Sequence, residues 1–328
     1  MKLKKEYVIL SVIIVALILY LLLHKTDRTH YQLPVLSEIS GNRITRLEIG
    51  KAGDTIVLNK KDKTWYIGSE QYTADSGKIK NMLDVIAKLT VTALVSKSKN
   101  YIRYDLNDDK KINIKAWEGN TLAREFEIGK AATTFRHTFV KLGKDANVYH
   151  AREDFRHKFD QTIDKLRDKT VLSFEQNDIR EVHISKDGSK IVISQKEIPV
   201  TGVEGEEKDI KAKSSPTKKT ERIWQTAENK KLDESKVKRL LSSLSRLDCE
   251  KYINDSKKED FKNPDYFIRL KGADEYSISI FAKTDTDKDA KNHPAISSEN
   301  DYPFLLSDSQ VDNVKTIIEE MLAANDRK

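Results

Sequence analysis

ITRLEIGKAGDTIVL, residues 44–58, and IREVHISKDGSKIVI, residues 179–193, align without a gap at a constant offset of 135. Six of the fifteen positions are identical: Ile44/Ile179, Ile49/Ile184, Lys51/Lys186, Gly53/Gly188, Ile56/Ile191 and Val57/Val192. Leu47/Val182 and Leu58/Ile193 differ only in size. In both stretches apolar residues alternate, a break falls at the glycine and a β-branched run follows, which is the pattern of two strands joined as a hairpin. In the first stretch the chain returns through LNKKDKTW to Trp65; in the second the return, ending RIW at Trp224, is delayed by residues 198–221. That segment is rich in Lys, Glu, Ser and Pro and poor in large apolar residues, so a disordered hairpin insertion is expected there.

The repeat continues past the hairpin. DSGKIKNMLDVIAKL, from Asp75, and DESKVKRLLSSLSRL, from Asp233, share one apolar skeleton: Ile79, Met82, Leu83, Ile86 and Leu89 against Val237, Leu240, Leu241, Leu244 and Leu247. The spacing places each set on one face of a helix. Each Asp stands where its carboxylate can accept from the unpaired N–H groups of the first turn. Leu232 and Val237 occupy the two positions of a hydrophobic staple. At the new offset of 158, TVTALV faces DCEKYI, and Cys249 falls opposite Val91. That match makes it a small apolar residue on a buried strand face. INIKAWEG–TLAREFEIGK and YFIRLKG–EYSISIFAK read as strand pairs turning at Gly119 and Gly272. Phe155, Phe159, Ile163 and Leu166 predict a closing helix in the first copy. Val311, Val314, Ile318 and Met321 predict one in the second, behind a Ser307–Gln310 capping box. The expected class is α+β: two tandem copies, 44–174 and 175–325, of an antiparallel sheet with helices on one side.

A chain of 328 residues fits two such domains at ~100–200 residues each. Charged residues reach 34%, but 59 basic side chains are offset by 52 acidic ones and the two signs alternate. That distribution describes a solvated surface and disfavours a nucleic-acid footprint. One cysteine excludes an intramolecular disulfide.

The N-terminus, MKLKKE followed by YVILSVIIVALILYLLL, predicts an uncleaved transmembrane signal anchor over 7–23. Seventeen helical residues rise about 25 Å against a hydrocarbon core of ~30 Å. Lys2, Lys4 and Lys5 outweigh Lys25 and Arg28, so residues 1–6 are expected in the cytoplasm. A juxtamembrane linker, 24–43, would lead to a body outside the cytoplasmic membrane, a single-pass inner-membrane protein with an extracytoplasmic bulk.

Chemistry-bearing patterns are sparse. Gly129–Lys130 lacks the upstream glycine of a phosphate loop, and no GxSxG occurs. His137, His150 and His157 form no HExxH and no close His/Cys cluster in sequence. Asp285, Asp287 and Asp289 alternate like the start of a calcium loop, but Ala290 and Ile296 stand where Gly and Glu are needed, and a solvated hairpin tip is the better reading. Trp65 and Trp224 hold matched positions, as core plugs or as lining of a ligand groove, with the core favoured. Trp117 has no aromatic counterpart and is the better candidate for a contact residue. No catalytic, cofactor-binding or metal residue is assigned.

TWYIGSEQYTADSGKIKNMLDVIAKL through YDLNDDKKINI, EFEIGKA, DANVYHA and the joint LRDKTVLSF–IREVHI resembles the domain of unknown function 4340 family over most of residues 30–325. The family commonly has Gly before the Leu at one turn, where this chain has Asp105–Leu106 and Asp260–Phe261; Asp tolerates unusual backbone conformations. The resemblance implies a membrane-anchored extracytoplasmic protein working beside ABC-type transport components, including those of gliding-motility-like systems. The leading expectation is therefore a non-enzymatic interaction module, accessory to an ABC-type permease and ATPase, without cofactor or nucleic-acid partner. The alternative is an envelope ligand- or polymer-binding protein using the groove between the repeats; an enzyme ranks third.

Overall fold

The computed structural model describes residues 5–23, 31–186, 188–199, 220–283 and 292–326. The chain divides into two compact units, Met1–Leu166 and Arg167–Lys328.

The first unit holds α1 (Lys5–Leu23), β1 (Arg46–Lys51), β2 (Asp54–Lys61), β3 (Thr64–Ile67), β4 (Tyr72–Thr73), α2 (Ser76–Lys88), β5 (Val91–Ser96), β6 (Ile112–Glu118), β7 (Thr121–Ala131), β8 (His137–Leu142), β9 (Val148–Arg152), α3 (Arg156–Phe159) and α4 (Ile163–Leu166). The second holds β10 (Thr170–Ser173), β11 (Glu181–Lys186), β12 (Ser189–Pro199), β13 (Thr220–Thr226), α5 (Glu234–Leu244), β14 (Arg246–Asp248), β15 (Lys251–Tyr252), β16 (Tyr266–Lys271), β17 (Glu275–Ile280), β18 (Asn292–Ser297), β19 (Phe304–Ser307) and α6 (Asp308–Asp326).

The opening stretches are the first hairpin of each unit. Leu47 pairs with Leu58 and Ile49 with Ile56; Val182 pairs with Ile193 and Ile184 with Ile191. Gly53 at φ +92° and Gly188 at φ +81° make the two turns, a conformation that costs glycine nothing. One sheet runs β4-β3-β2-β1-β6-β7-β8-β9-β5 and the other β13-β12-β11-β16-β17-β18-β19-β15. Apart from β4 the two orders coincide strand for strand, and the Gln225–Lys231 bridge stands where β3 meets β4. β10 and β14 form a separate pair.

The α+β class needs correction. The described residues form mostly antiparallel sheet, nine and eight strands in the two large sheets, with few helices. The closing helix expected at Phe155–Leu166 accounts for part of the difference. It is two single turns, α3 and α4, because Asp160 N–H already closes on Arg156 and Thr162 Oγ1 accepts from Lys165 to start a fresh turn. Ile163 is left exposed.

The transmembrane helix needs correction too. Among the described residues no helix is long and apolar enough to cross a membrane. The helix at 7–23 therefore does not support the expected signal anchor, its single-pass topology or the inner-membrane placement built on it. Of the expected linker, Leu33, Leu36 and Ile39 pack against the first core.

Each core lies between one sheet face and its helices. In the first unit Ile79, Met82 and Ile86 of α2 meet Leu47, Ile114, Phe126 and Ile128. In the second, Val237, Leu240 and Leu244 of α5 and Val314 and Ile318 of α6 meet Val182, Ile184, Ile268 and Ile278. Each such side chain contributes roughly 1.5–3 kcal/mol on burial. Asp75 Oδ1 caps α2 by accepting from Lys78 N–H at 3.0 Å, and Asp233 caps α5 from Ser235 N–H at 2.9 Å. At the start of α6, Ser307 N–H donates to Gln310 Oε1 at 2.9 Å. Asp105 takes the left-handed conformation at φ +54°.

Candidate functional site

One face of an antiparallel sheet packs on the core and the other is left to solvent or to partners. In β8, Thr138 and Val140 are buried against the core, so His137, Phe139 and Lys141 point the other way. The β8–β9 register sets Phe139 opposite His150. His150 therefore joins Phe139 on the outer face. The 3₁₀ turn Tyr101–Tyr104 crosses this face where β7 carries Gly129, and a Cβ at that glycine would stand 2.2 Å from Tyr104 O.

Four rings follow one another across the face. Tyr104 and Phe139 have centroids 4.9 Å apart, Phe139 and His150 4.8 Å, and His150 and His137 5.2 Å with planes at 24°. Tyr104, Leu106 and Val148 form a small apolar cluster there, with Val95, Tyr101 and Phe139 against it. Lys141 Nζ lies 5.2 Å from the Tyr101 ring and 2.8 Å from Glu127 Oε2; Lys111 reaches Glu127 Oε1 at 3.1 Å and Asp108 at 2.8 Å. Partial burial acts against the Lys111 charge, but Asp108 and Glu127 together raise its affinity for the proton. Burial lowers that of His150, and His137 adds to the effect. Phe135, 74% exposed at φ +54°, lies two residues before the row, and Ile102, 72% exposed, lies in the turn that crosses it.

The second unit serves as an internal control. Ile128 pairs with Val140 and Ile280 with Ala295; Phe139 pairs with His150 and Pro294 with Leu305. His137, Phe139 and His150 are thus replaced by Asn292, Pro294 and Leu305. The same strand order holds without the rings, so the frame does not require them.

Other singled-out residues fall elsewhere. Trp65 and Trp224 are buried in their cores, while Trp117 is half-buried with the Arg46 guanidinium 5.0 Å from its ring. Cys249 is buried, and burial pushes its thiol up to about 11. His157 lies on α3, apart from the row. His293 has both ring nitrogens engaged, by Phe281 O and by Asp308. Asp285, Asp287 and Asp289, and most of the 198–221 insertion, lie outside the described residues. Among the described residues no group of three or more His, Cys, Asp or Glu is placed to hold a metal ion.

Sequence reasoning missed the row because its members lie on three separated segments. A comparison of the copies at offset 155 would have found it, as ring-bearing positions that lose their rings. The family described as "Domain of unknown function (DUF4340)" matches residues 65–264. No curated protein and no solved structure matches the chain.

Proposed function

The chain belongs to the domain of unknown function 4340 family, and we propose that it works as a non-enzymatic interaction module, an accessory component of an ABC-type transport system. The family resemblance suggests the transport setting. The observation that carries the interaction reading is the outer face of the first sheet: half-buried Phe139, His137 and His150 in a row with buried Tyr104, and exposed Phe135 and Ile102 close by in sequence, on a frame that the second unit builds without the row. Single apolar residues on a surface need no explanation; here exposed Phe135 and Ile102 accompany three half-buried rings, His137, Phe139 and His150, which makes this face the better candidate for a contact surface. Aromatic side chains give large contact area with few torsions to freeze.

The test is purification of the tagged full-length chain from cells opened in mild detergent, with partners identified by mass spectrometry. The reading expects a permease and an ATPase with the native chain, depleted for a variant carrying Ile102→Ser and Phe135→Ser. Both substituted residues are exposed, so folding is spared. Absence of any transporter subunit with the native chain overturns the reading; equal recovery with the variant removes the outer face from it.

A further inference from the structure

We propose that a cavity in the second unit, between the start of β16 and α6, is a binding site for an alkylguanidinium, the group that ends an arginine side chain. The inference rests on a comparison of the two copies and not on the transport reading.

In the first unit the same place is filled from within. Arg156, at the start of α3, keeps only 19% of its side chain exposed. It donates to the carbonyls of Ile128 at 3.2 Å and Lys110 at 2.6 Å, and its Nε lies 3.7 Å from the Asp160 carboxylate, which also meets Lys51. The frame around it recurs in the second unit. Lys51, Ile112 and Ile128 stand side by side across the first sheet, as Lys186, Tyr266 and Ile280 do across the second. On the helical side Phe159 matches Val314 and Leu166 matches Met321 at offset 155, and all four are buried. At that offset Arg156 becomes Val311. Where the arginine is missing, the second unit has a cavity of about 310 Å3, lined by Tyr266, Ile280 and Val311 and by Asp265, Asp312 and Glu319. That volume lies at the lower end of small-ligand sites.

The charges around the cavity have changed as well. Asp265, just ahead of Tyr266, replaces Lys111, just ahead of Ile112, and Asp312 replaces His157. Among the described residues neither the Asp265 nor the Asp312 carboxylate takes part in a hydrogen bond or an ion pair. Acidic groups thus gather where the built-in cation is lost. A planar guanidinium presents its donors as a rigid fork that suits carboxylate and carbonyl oxygens, whereas an ammonium is a point charge. Two lysines also line the cavity. Lys186 is engaged by Glu319 at 2.8 Å and by the Tyr266 ring, 5.5 Å from its Nζ. Lys315 stands where the first unit has Asp160 and opposes a bound cation, so the affinity is modest.

The test uses the full chain and follows its backbone amide resonances while L-arginine, a blocked Gly-Arg-Gly peptide or L-lysine is added. Shifts are expected at Tyr266, Ile280 and Val311, with arginine bound at least tenfold more tightly than lysine. Val311→Arg, which installs the first unit's residue, should fill the cavity with its own side chain and abolish binding. Asp265→Asn combined with Asp312→Asn, both at exposed positions, should weaken binding at least fivefold. Tighter binding of the peptide than of the free amino acid assigns the site to an arginine on another chain, and the reverse assigns it to a small molecule. No binding of either arginine ligand, an equal response to arginine and lysine, or binding that survives Val311→Arg overturns the proposal. Should Val311→Arg fail to fold, the double variant decides, and unchanged binding in it overturns the site.

Discussion

Lys186 Nζ lies 2.8 Å from Glu319 Oε1 of α6, and in the first unit Lys51 meets Asp160, just past α3, in the same way. These lysines are one of the six identities in the opening repeat, and they tie the end of the first hairpin to the closing helical segment. Both pairs are partly exposed, so their effect is modest and screened by salt. The bond to Glu319 raises the proton affinity of Lys186, and Lys186 holds Glu319 below its ordinary 4.5. A depressed carboxylate stabilises above its unfolded value, and that stability is lost as pH falls through the folded value. Lys186→Met should therefore lower the melting temperature at neutral pH. The gap to the native chain should shrink in high salt and close as the pH drops below 4.5. A gap indifferent to both would remove the ion pair as its cause.

Asp75 offers a sharper acid-side probe. Burial alone would raise its carboxyl, but the Lys78 N–H and ammonium hold it below the ordinary 3.8. Its contribution is present above pH 3.8 and fades as the pH falls through the lower, folded value. Asp75→Ala should cost about 1 kcal/mol in urea unfolding at pH 7, and Asp75→Asn clearly less, because Asn also caps. Equal losses for the two would mean that the charge, and not the cap, carries the effect.

Local rules reached different depths in different places. Period-3.6 spacing and the capping Asp placed α2 and α5 well, and the Gly53 and Gly188 breaks placed the hairpins, because those signals act within a few residues. The same spacing misled at Phe155–Leu166, where four apolar residues at helical intervals pack inward or lie exposed on two separate turns. Apolar continuity at 7–23 invited a membrane span that the described helix does not support. The ring row was illegible for another reason. His137 and His150 meet only through the β8–β9 register, and register is fixed by tertiary pairing.

Cys249 should be inert in the folded chain. Its thiol is buried and pushed up to about 11, so almost no thiolate exists at pH 8. An aromatic disulfide reagent should label nothing in buffer and one thiol per chain in denaturant. Cys249→Val, which installs the residue of the matched Val91, should cost less than about 1.5 kcal/mol. Rapid labelling of the native chain would show that the strand opens far more readily than its packing implies.

Gly129 tests whether the outer face depends on close passage of the Tyr101–Tyr104 turn. In Gly129→Ala the new Cβ would stand 2.2 Å from Tyr104 O, 3.0 Å from Leu106 Cγ and 3.2 Å from Phe139 O. Two of these are backbone atoms and cannot turn aside, so the turn itself must lift. The pairing frame does not forbid a side chain here, since Phe281 follows Ile280 as Gly129 follows Ile128 and packs against Phe261 at 5.3 Å. The expected result is a loss of roughly 1–3 kcal/mol, concentrated in the turn. Hydrogen exchange should accelerate at the amides of Asp105 and Leu106, which donate to Ile102 and Tyr101, while those of the β6–β7 ladder stay protected. Uniform acceleration would tie the turn to the whole sheet, and no change at all would mean that the close passage is not a constraint on the fold.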